Sequence, residues 1–256
     1  MTLSSIILLF TVGLIGGVWN AIAGGATLFT FPALMFAGLP PVVANATNYL
    51  GLLPSNVAAL AAYREELRDA GGNLVPLIIV SGVGAAFGSV LLLFSDPQTF
   101  LFLVPFLLLI ATLLFAFGAA ARRFVLSVAD VVPASAAAYG ILFVFSIYGG
   151  YFGAGLGIVL LAIAQIMGYT DFQAANSIKN LLAASFTIIS IAIFGIGGLI
   201  NWPAAFMMMV GSTAGGYIGG RLAKRTNQTA LRMAVIAFGF VLTAVYFWRV
   251  FLVSAG

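Results

Sequence analysis

Long apolar stretches separated by short polar turns occupy almost the whole chain of 256 residues. Three of them are long enough to cross about 30 Å of hydrocarbon as a helix, which takes about 20 residues: Leu3 to Ala23, Asn73 to Phe94 and Thr99 to Ala119. The alternating strands of an outer-membrane β-barrel are not visible. The pattern predicts an all-α integral membrane protein, a helical bundle of about 8 to 10 hydrophobic segments.

The apolar region from Thr27 to Tyr63 is interrupted. Pro32 lies inside it, and Gly38-Leu39-Pro40-Pro41 breaks it, because proline removes a helical hydrogen bond and collides with the preceding turn. This predicts a broken-helix hairpin, and Gly168-Tyr169-Thr170-Asp171 predicts a second one. Backbone leaves the helical state at membrane depth only where protein or water satisfies it. Two matched breaks are typical of a transporter binding site, and we expect them to meet near the middle.

The second half of the chain repeats the glycine, proline and asparagine spacing of the first, with an offset that falls from 133 to 127. The matched pairs are Gly24 and Gly157, Gly38 and Gly168, Asn45 and Asn176, Pro76 and Pro203, Gly84 and Gly211, and Gly88 and Gly215. We interpret residues 1–120 and 131–256 as two repeats within one transmembrane domain. Residues 121–130 are the expected polar cytoplasmic link between them.

Small residues recur at every fourth position in two predicted helices, as Gly84-x-x-x-Gly88 and as Gly211-x-x-x-Gly215-x-x-x-Gly219. This spacing places them on one helix face, where they let two backbones approach closely in lipid. We expect these glycines to pack helices and assign them no contact with a substrate.

The basic residues indicate the orientation. If each broken region enters the membrane and returns to the same side, eight basic residues fall on one side of the membrane. If each broken region crosses the membrane once, the same residues divide four against four. They are Arg64, Arg68, Arg122, Arg123, Arg221, Lys224, Arg225 and Arg232. Because Lys and Arg accumulate in cytoplasmic loops, the first arrangement is favoured. It predicts that the second repeat is inverted and that both termini lie outside the cytoplasm.

Polar side chains near the two breaks are the candidate binding residues. Lys179 is the sharpest, because a central Lys costs about 2.5 to 3.5 kcal/mol in a membrane helix and normally faces a cavity, a partner or a ligand. With neighbouring amides and helix N-termini, its ammonium would form a positive site suited to an oxyanion. The candidate substrate-binding residues are Lys179, Asn176, Asn180, Asn45, Asn48, Thr47 and Gln173.

Two structural alternatives stay open for Lys179. Its side chain can extend to the interface from the first turn of its helix, or pair with Asp171 two turns earlier. Asp171 is the one carboxylate near the predicted site, which makes it the candidate for ion coupling or an ion pair. Asn20 and Trp202 are better explained as a helix-to-helix hydrogen bond and an interfacial anchor.

The chain contains no cysteine and no histidine, which removes thiol nucleophiles and the usual soft metal ligands. We expect no metal, no cofactor and no enzymatic activity. An intramembrane hydrolase would need a serine beside Lys179, but Ser177 and Ser185 lack the spacing that brings helical side chains together. The net charge of +4 sits in short loops, so we expect no nucleic-acid partner.

Several motifs recur in an order that is fairly specific. The first half has Gly24-Gly25 through Pro32 to Gly38, then Ala44-Asn45-Ala46-Thr47-Asn48. The second has Ala175-Asn176-Ser177-Ile178-Lys179-Asn180-Leu181-Leu182, Gly198-Leu199-Ile200-Asn201-Trp202, and Gly211 to Arg225. Together they resemble the sulfite exporter TauE/SafE family, also called the 4-toluene sulfonate uptake permease family, over nearly the whole chain.

The resemblance implies a multi-pass permease of the bacterial inner membrane that moves sulfite, an organosulfonate or a related sulfur-containing anion. Alternating access is the expected mechanism, and an anion channel is the alternative. The expected partners are the small anion, membrane lipid and a coupling ion, proton or sodium. One departure is that Ala164 stands near where the first repeat has Pro32, so the two hairpins are not expected to be identical.

Overall fold

The computed structural model describes residues 3–22, 25–62, 64–69, 74–129, 134–169, 171–222 and 228–253. Within these ranges the secondary structure is helical, which confirms the all-α bundle. The helices are α1 (Leu3–Ile22), α2 (Thr27–Phe36), α3 (Pro41–Ala62), α4 (Arg64–Asp69), α5 (Val75–Leu93), α6 (Pro97–Ala116), α7 (Gly118–Ala129), α8 (Ala134–Tyr151), α9 (Gly157–Ile166), α10 (Phe172–Ile196), α11 (Trp202–Leu222) and α12 (Gln228–Phe247), followed by a π-helical segment (Trp248–Val253).

Four helical segments of the described chain are long and apolar enough to cross a membrane. They are Leu3–Asn20, Val75–Leu93, Pro97–Leu114 and Gln173–Ile196. Many of their large apolar side chains point outward, such as Phe87, which is 59% exposed. A surface of this kind is stable against lipid and not against water.

Helices α2 and α9 end in the same way. Gly38 and Gly168 both have φ of +95°, a conformation that glycine adopts without strain. The next N–H groups, of Leu39 and Tyr169, donate back to the carbonyls of Leu34 and Ala164 at 3.2 and 3.1 Å. This bond closes the last helical turn in a Schellman motif. The predicted elbows are therefore confirmed, although Thr170 lies outside the described residues.

A second pair of glycine elbows opens these two helices. Gly25 and Gly155 both have φ of +80°. They pair at an offset of 130, as Gly38 and Gly168 do, so α2 and α9 are equivalent helices of 10 residues each. Gly157, which the sequence pairs with Gly24, is the first residue of α9 and corresponds to Thr27 of α2, while Gly24 itself lies outside the described residues.

The same offset corrects the expected difference between the hairpins. Pro32 pairs with Ala162 and not with Ala164. Pro32 also does not interrupt α2, which stays helical from Thr27 to Phe36. One missing backbone hydrogen bond is tolerated there, and both helices have the same length and the same end geometry.

The two predicted breaks do not meet. Gly38 and Gly168 are both exposed, and no atom lies within 4 Å of the position that a Cβ would occupy on either. The expectation that they meet near the middle is wrong. A helix of 10 residues is about 15 Å long, so its two ends are well separated. The inner elbows, around Gly25 and Gly155, are the ones that converge.

Contacts between helices give their directions. Gly13 lies against Met208 and Gly17 against Ser212, so α1 and α11 run in parallel. The same kind of contact makes α3 parallel to α11, since the Ser212 hydroxyl donates to the Gly51 carbonyl and Gly216 faces Ser55. Helices α1, α3 and α11 therefore share one direction.

A second set of helices runs the other way. Gly84 lies near Ser146 and Gly88 near Ile147, so α5 and α8 are parallel. Hydrogen bonds from Ser81 to Leu182 and from Ser89 to Ser190 make α10 parallel to α5. Only residues 197–201 join α10 to α11, so these two long helices run in opposite directions. Helix α8 is thus opposed to α1, and α10 to α3, which makes the two halves inverted copies.

The helix directions place the described basic residues on one side of the bundle. Helices α3, α6 and α11 end on the same side of the bundle, and Arg64, Arg68 and Arg123 lie just beyond the first two of these ends. Lys224 and Arg225 lie outside the described residues. The predicted polar link is largely helical, because α7 occupies residues 118–129 and packs against α9.

The predicted glycine packing is confirmed. A Cβ on Gly88 would overlap the Ile147 carbonyl of α8, and one on Gly215 would overlap the Leu14 carbonyl of α1. These contacts form the interfaces between α5 and α8 and between α1 and α11, which are equivalent under exchange of the two halves.

We expect Gly88→Ala to destabilise the bundle by about 1 to 3 kcal/mol, because the added methyl forces α5 and α8 apart. The thermal unfolding midpoint in detergent measures this effect. Gly140→Ala on α8 is the matched control, since no atom lies within 4 Å of its Cβ position. Equal midpoints for both variants would contradict the close approach of α5 and α8.

Candidate functional site

A cavity of about 100 Å³ lies where the two halves meet. A cavity that holds one water molecule needs a volume of roughly 10 to 15 Å³, so this cavity has room for a small oxyanion. Residues of α1, α2, α3, α9 and α10 line it together with the elbows that precede α2 and α9. They are Asn20, Gly25, Thr27, Asn48, Tyr49, Leu52, Asn56, Phe152, Gly153, Gly155, Leu156, Gly157, Leu160, Lys179, Asn180, Ala183, Phe186 and Thr187.

The N-terminus of α9 opens onto this cavity without a cap. Leu156 occupies the N-cap position and supplies no side-chain hydrogen bond. The Leu160 N–H donates to the Leu156 carbonyl at 3.0 Å, but the N–H groups of Gly157, Ile158 and Val159 have no partner among the described residues. Free N–H groups at a helix N-terminus carry partial positive charge and bind anions.

Lys179 lies beside this helix terminus. A Cβ on Gly157 would be 3.8 Å from Cδ of Lys179, so the lysine stem passes directly over the first residue of α9. The side chain is half-buried, and its ammonium makes no hydrogen bond or ion pair with another described residue. Lys179 therefore faces the cavity, which is the usual environment of a charged side chain within a membrane helix.

Asp171 is not the partner of Lys179 in this structure. Its carboxylate caps α10, where Oδ2 accepts hydrogen bonds from the N–H groups of Gln173 and Ala174, each at 2.9 Å. The residue is exposed at the start of the helix. The carboxylate thus has the local structural role that an Asp has at an N-cap.

At the position equivalent to Lys179, the first half has a neutral amide that is hydrogen-bonded within the protein. Asn48 is the equivalent residue, at the offset of 131 that also relates Asn45 to Asn176. It is 1% exposed, its Oδ1 accepts from the Thr30 hydroxyl at 2.6 Å, and its Nδ2 donates to the Thr27 hydroxyl at 3.1 Å. The positions of these two threonines are taken by Gly157 and Leu160 beside Lys179. No equivalent hydroxyl is therefore present there to satisfy the ammonium.

Side chains of α3 hold the elbow before α9. Nδ2 of Asn45 donates to the Tyr151 carbonyl at 2.8 Å, and the Tyr49 hydroxyl donates to the Gly149 carbonyl. Within the elbow, the Tyr148 hydroxyl donates to the Ala154 carbonyl at 2.9 Å. These bonds connect the two halves and orient the uncapped terminus of α9 toward the cavity.

The family model described as "Sulfite exporter TauE/SafE" matches residues 9–246. The chain belongs to the sulfite exporter TauE/SafE family. Its relatives include the "Probable membrane transporter protein" of Haemophilus influenzae, 32% identical over 93% of this chain and 92% of that protein. The "Probable membrane transporter protein YfcA" of Escherichia coli K12 is 27% identical over 92% of this chain and 87% of its own length. No solved structure matches the chain.

Membership confirms the resemblance and the multi-pass architecture, and the TauE/SafE family is one of membrane transporters and not of enzymes. The serines of the hydrolase alternative are also occupied elsewhere. The Ser177 hydroxyl donates to the Ala174 carbonyl at 2.7 Å, and the Ser185 hydroxyl donates to carbonyls of its own helix. Neither serine lines the cavity.

Three of the predicted binding residues of this TauE/SafE protein, Asn48, Lys179 and Asn180, line the cavity together. The other four do not. The Thr47 hydroxyl accepts from the Asn201 N–H at 3.0 Å and so connects α3 to α11. Asn45 holds the elbow as described, Asn176 is half-buried beyond the lining, and Gln173 is exposed.

Among the lining residues that were not predicted for the site, Asn56 and Thr187 are two polar ones for which the sequence carried a signal. Asn56 follows Asn48 by eight residues, and Thr187 follows Lys179 by eight, which places each pair on one helix face two turns apart. Asn20 makes the expected helix-to-helix bond, since its Nδ2 donates to Ser55 Oγ and Asn56 Oδ1, both at 2.8 Å, and it also lines the cavity.

Proposed function

We propose that this protein is a secondary transporter of a small anion, namely sulfite, an organosulfonate or another sulfur-containing oxyanion. The observation that carries the proposal is that the stem of Lys179 and the uncapped N-terminus of α9 line one cavity. An ammonium supplies charge, and free N–H groups supply directed donors, which together suit the oxygens of such an anion. Asn180 supplies a further amide in the same lining.

The sign of the site supports an anion over a cation. The described lining holds one lysine and no carboxylate, and α2 also begins at the cavity with Thr27. Two helix N-termini and an ammonium thus present positive potential to the same small volume. The sulfur chemistry of the substrate rests on the family alone.

Alternating access is the mechanism that we propose, because the cavity lies between two inverted halves that can exchange conformations around a fixed site. The anion channel is the second candidate. Uptake of ³⁵S-sulfite into proteoliposomes separates them, since a carrier saturates and shows counterflow and a channel does neither. The same assay with sulfate, thiosulfate, sulfonates and carboxylates as competitors tests the anion class. No uptake and no thermal stabilisation by any of these anions would exclude the proposal.

For the orientation, we propose that the basic ends of α3, α6 and α11 face the cytoplasm of a bacterial inner membrane, with both termini outside. Single cysteines at Arg68 and Arg123 of this cysteine-free chain should then resist an impermeant thiol reagent added to intact cells. A cysteine at Asp96, in the turn between α5 and α6, should react. Reaction at Arg68 with protection at Asp96 would reverse the orientation.

A further inference from the structure

The cavity holds a positive charge with no described negative charge to balance it. Lys179 contributes an ammonium, and the N-termini of α2 and α9 contribute partial charges of the same sign. No described carboxylate lines the cavity, and none pairs with Lys179. A bound anion would balance this positive charge.

The helices packed against α10 do not change this balance. Helices α5 and α9 carry no titratable side chain. The only titratable side chains of α3 and α8 are tyrosines, of which Tyr49 lines the cavity. Helix α4 carries Arg64, Glu65, Glu66 and Arg68, none of which lines the cavity, and Asp69, whose side chain lies outside the described part of the structure. On α10 itself, Asp171 is committed to its cap.

We propose that Lys179 is also the proton-coupling group of the transporter, so that one proton moves with each anion. This inference rests on the proposed function. On the loading side, the neutral amine takes a proton from water and forms the third N–H bond of the ammonium as the anion binds. On the opposite side, the anion leaves, that N–H bond breaks, and the proton passes to water.

Three observations support a lysine in this role. Asn48 occupies the position of the first half that is equivalent to Lys179, and its neutral amide is hydrogen-bonded to Thr27 and Thr30. The fold therefore does not require a charge at this position. An arginine would provide a permanent charge, whereas a lysine loses its proton readily when buried. The chain has no histidine, and the described lining offers no carboxylate as an alternative proton carrier.

The test is the proton uptake that accompanies anion binding. Calorimetric titration of the purified protein with 4-toluenesulfonate, which stays a monoanion, is made from pH 6 to 10 in paired buffers of different ionisation enthalpy. We expect uptake to rise with pH toward about one proton per anion. The Kd should increase about tenfold per pH unit over the range where uptake is complete, because binding is then linked to one proton.

Transport gives a second readout. In proteoliposomes with the membrane potential clamped, an inwardly directed proton gradient should drive accumulation of ³⁵S-sulfite in the wild type and in Arg123→Ala, which removes an exposed cation outside the cavity. Lys179→Arg should lose this response to the gradient, whatever anion exchange it retains. Binding without proton uptake at any pH would overturn the coupling and leave the anion site intact. Failure of every anion to bind would overturn both proposals.

Discussion

Lys179→Ala should lower anion transport by about 10- to 150-fold or more while the protein still folds and inserts. The residue supplies the one described cationic side chain of the cavity, and a hydrogen-bonded charge pair of this kind contributes about 1.5 to 3 kcal/mol or more when it is desolvated. The fold should persist, because the ammonium makes no bond to another described residue. Initial rates of ³⁵S-sulfite uptake and the elution profile in detergent measure the two effects.

Arg123→Ala is the matched control for this change, since it also removes one positive charge but lies exposed on α7. It should transport at the wild-type rate. Lys179→Arg should bind the anion poorly, because a planar guanidinium needs a different geometry from a compact ammonium. If Lys179→Ala transports normally with an unchanged half-saturation, the lysine is structural and the proposed site is in the wrong place.

Asn48→Asp should have an effect of similar size with almost no change in side-chain volume. The Thr27 and Thr30 hydroxyls that now bond the amide can both donate to a carboxylate, so the new charge is accommodated locally. At about 6 Å and an effective dielectric constant of 20, it would repel a monoanion by roughly 3 kcal/mol, about 100-fold in affinity. It would also neutralise the field of Lys179.

Gln173→Glu provides the comparison, because it adds the same charge to exposed α10 surface that does not line the cavity. Affinity for 4-toluenesulfonate by calorimetry should fall only in Asn48→Asp. Retained affinity in that variant would show that the anion does not reach the Asn48 side of the cavity. The Thr47, Asn45 and Asn176 variants should act on stability or on the elbow, because these residues do not line the cavity.

The helices and the elbows at Gly38 and Gly168 could be predicted because they depend on local sequence. An apolar run of spanning length predicts α5 and α6 to within a few residues of their observed bounds, Val75–Leu93 and Pro97–Ala116. Gly38 and Gly168 end their helices through a positive φ, which a glycine before a polar or proline-rich turn indicates. The capping role of Asp171 was local as well and could have been recognised, because Asp is a favoured N-cap residue.

Only part of the alignment between the two halves could be predicted from the local sequence pattern. The constant offset at Pro76, Gly84 and Gly88 was correct for packing, since these glycines lie on equivalent helices α5 and α11. The first elbow was misaligned, because that region of each half contains several glycines. Only the backbone angles show that Gly25 and Gly155 are the equivalent pair.

Composition and spacing along single helices were enough to predict an all-helical membrane protein, its two inverted halves, its two broken hairpins and the unusual charge of Lys179. The packing of the helices was needed to show that the inner ends of α2 and α9 converge while Gly38 and Gly168 stay at the surface. It also showed that the Asn48 amide is satisfied and that Lys179 faces free N–H groups of α9. Those facts depend on contacts between residues that are far apart in the chain, which no local pattern encodes.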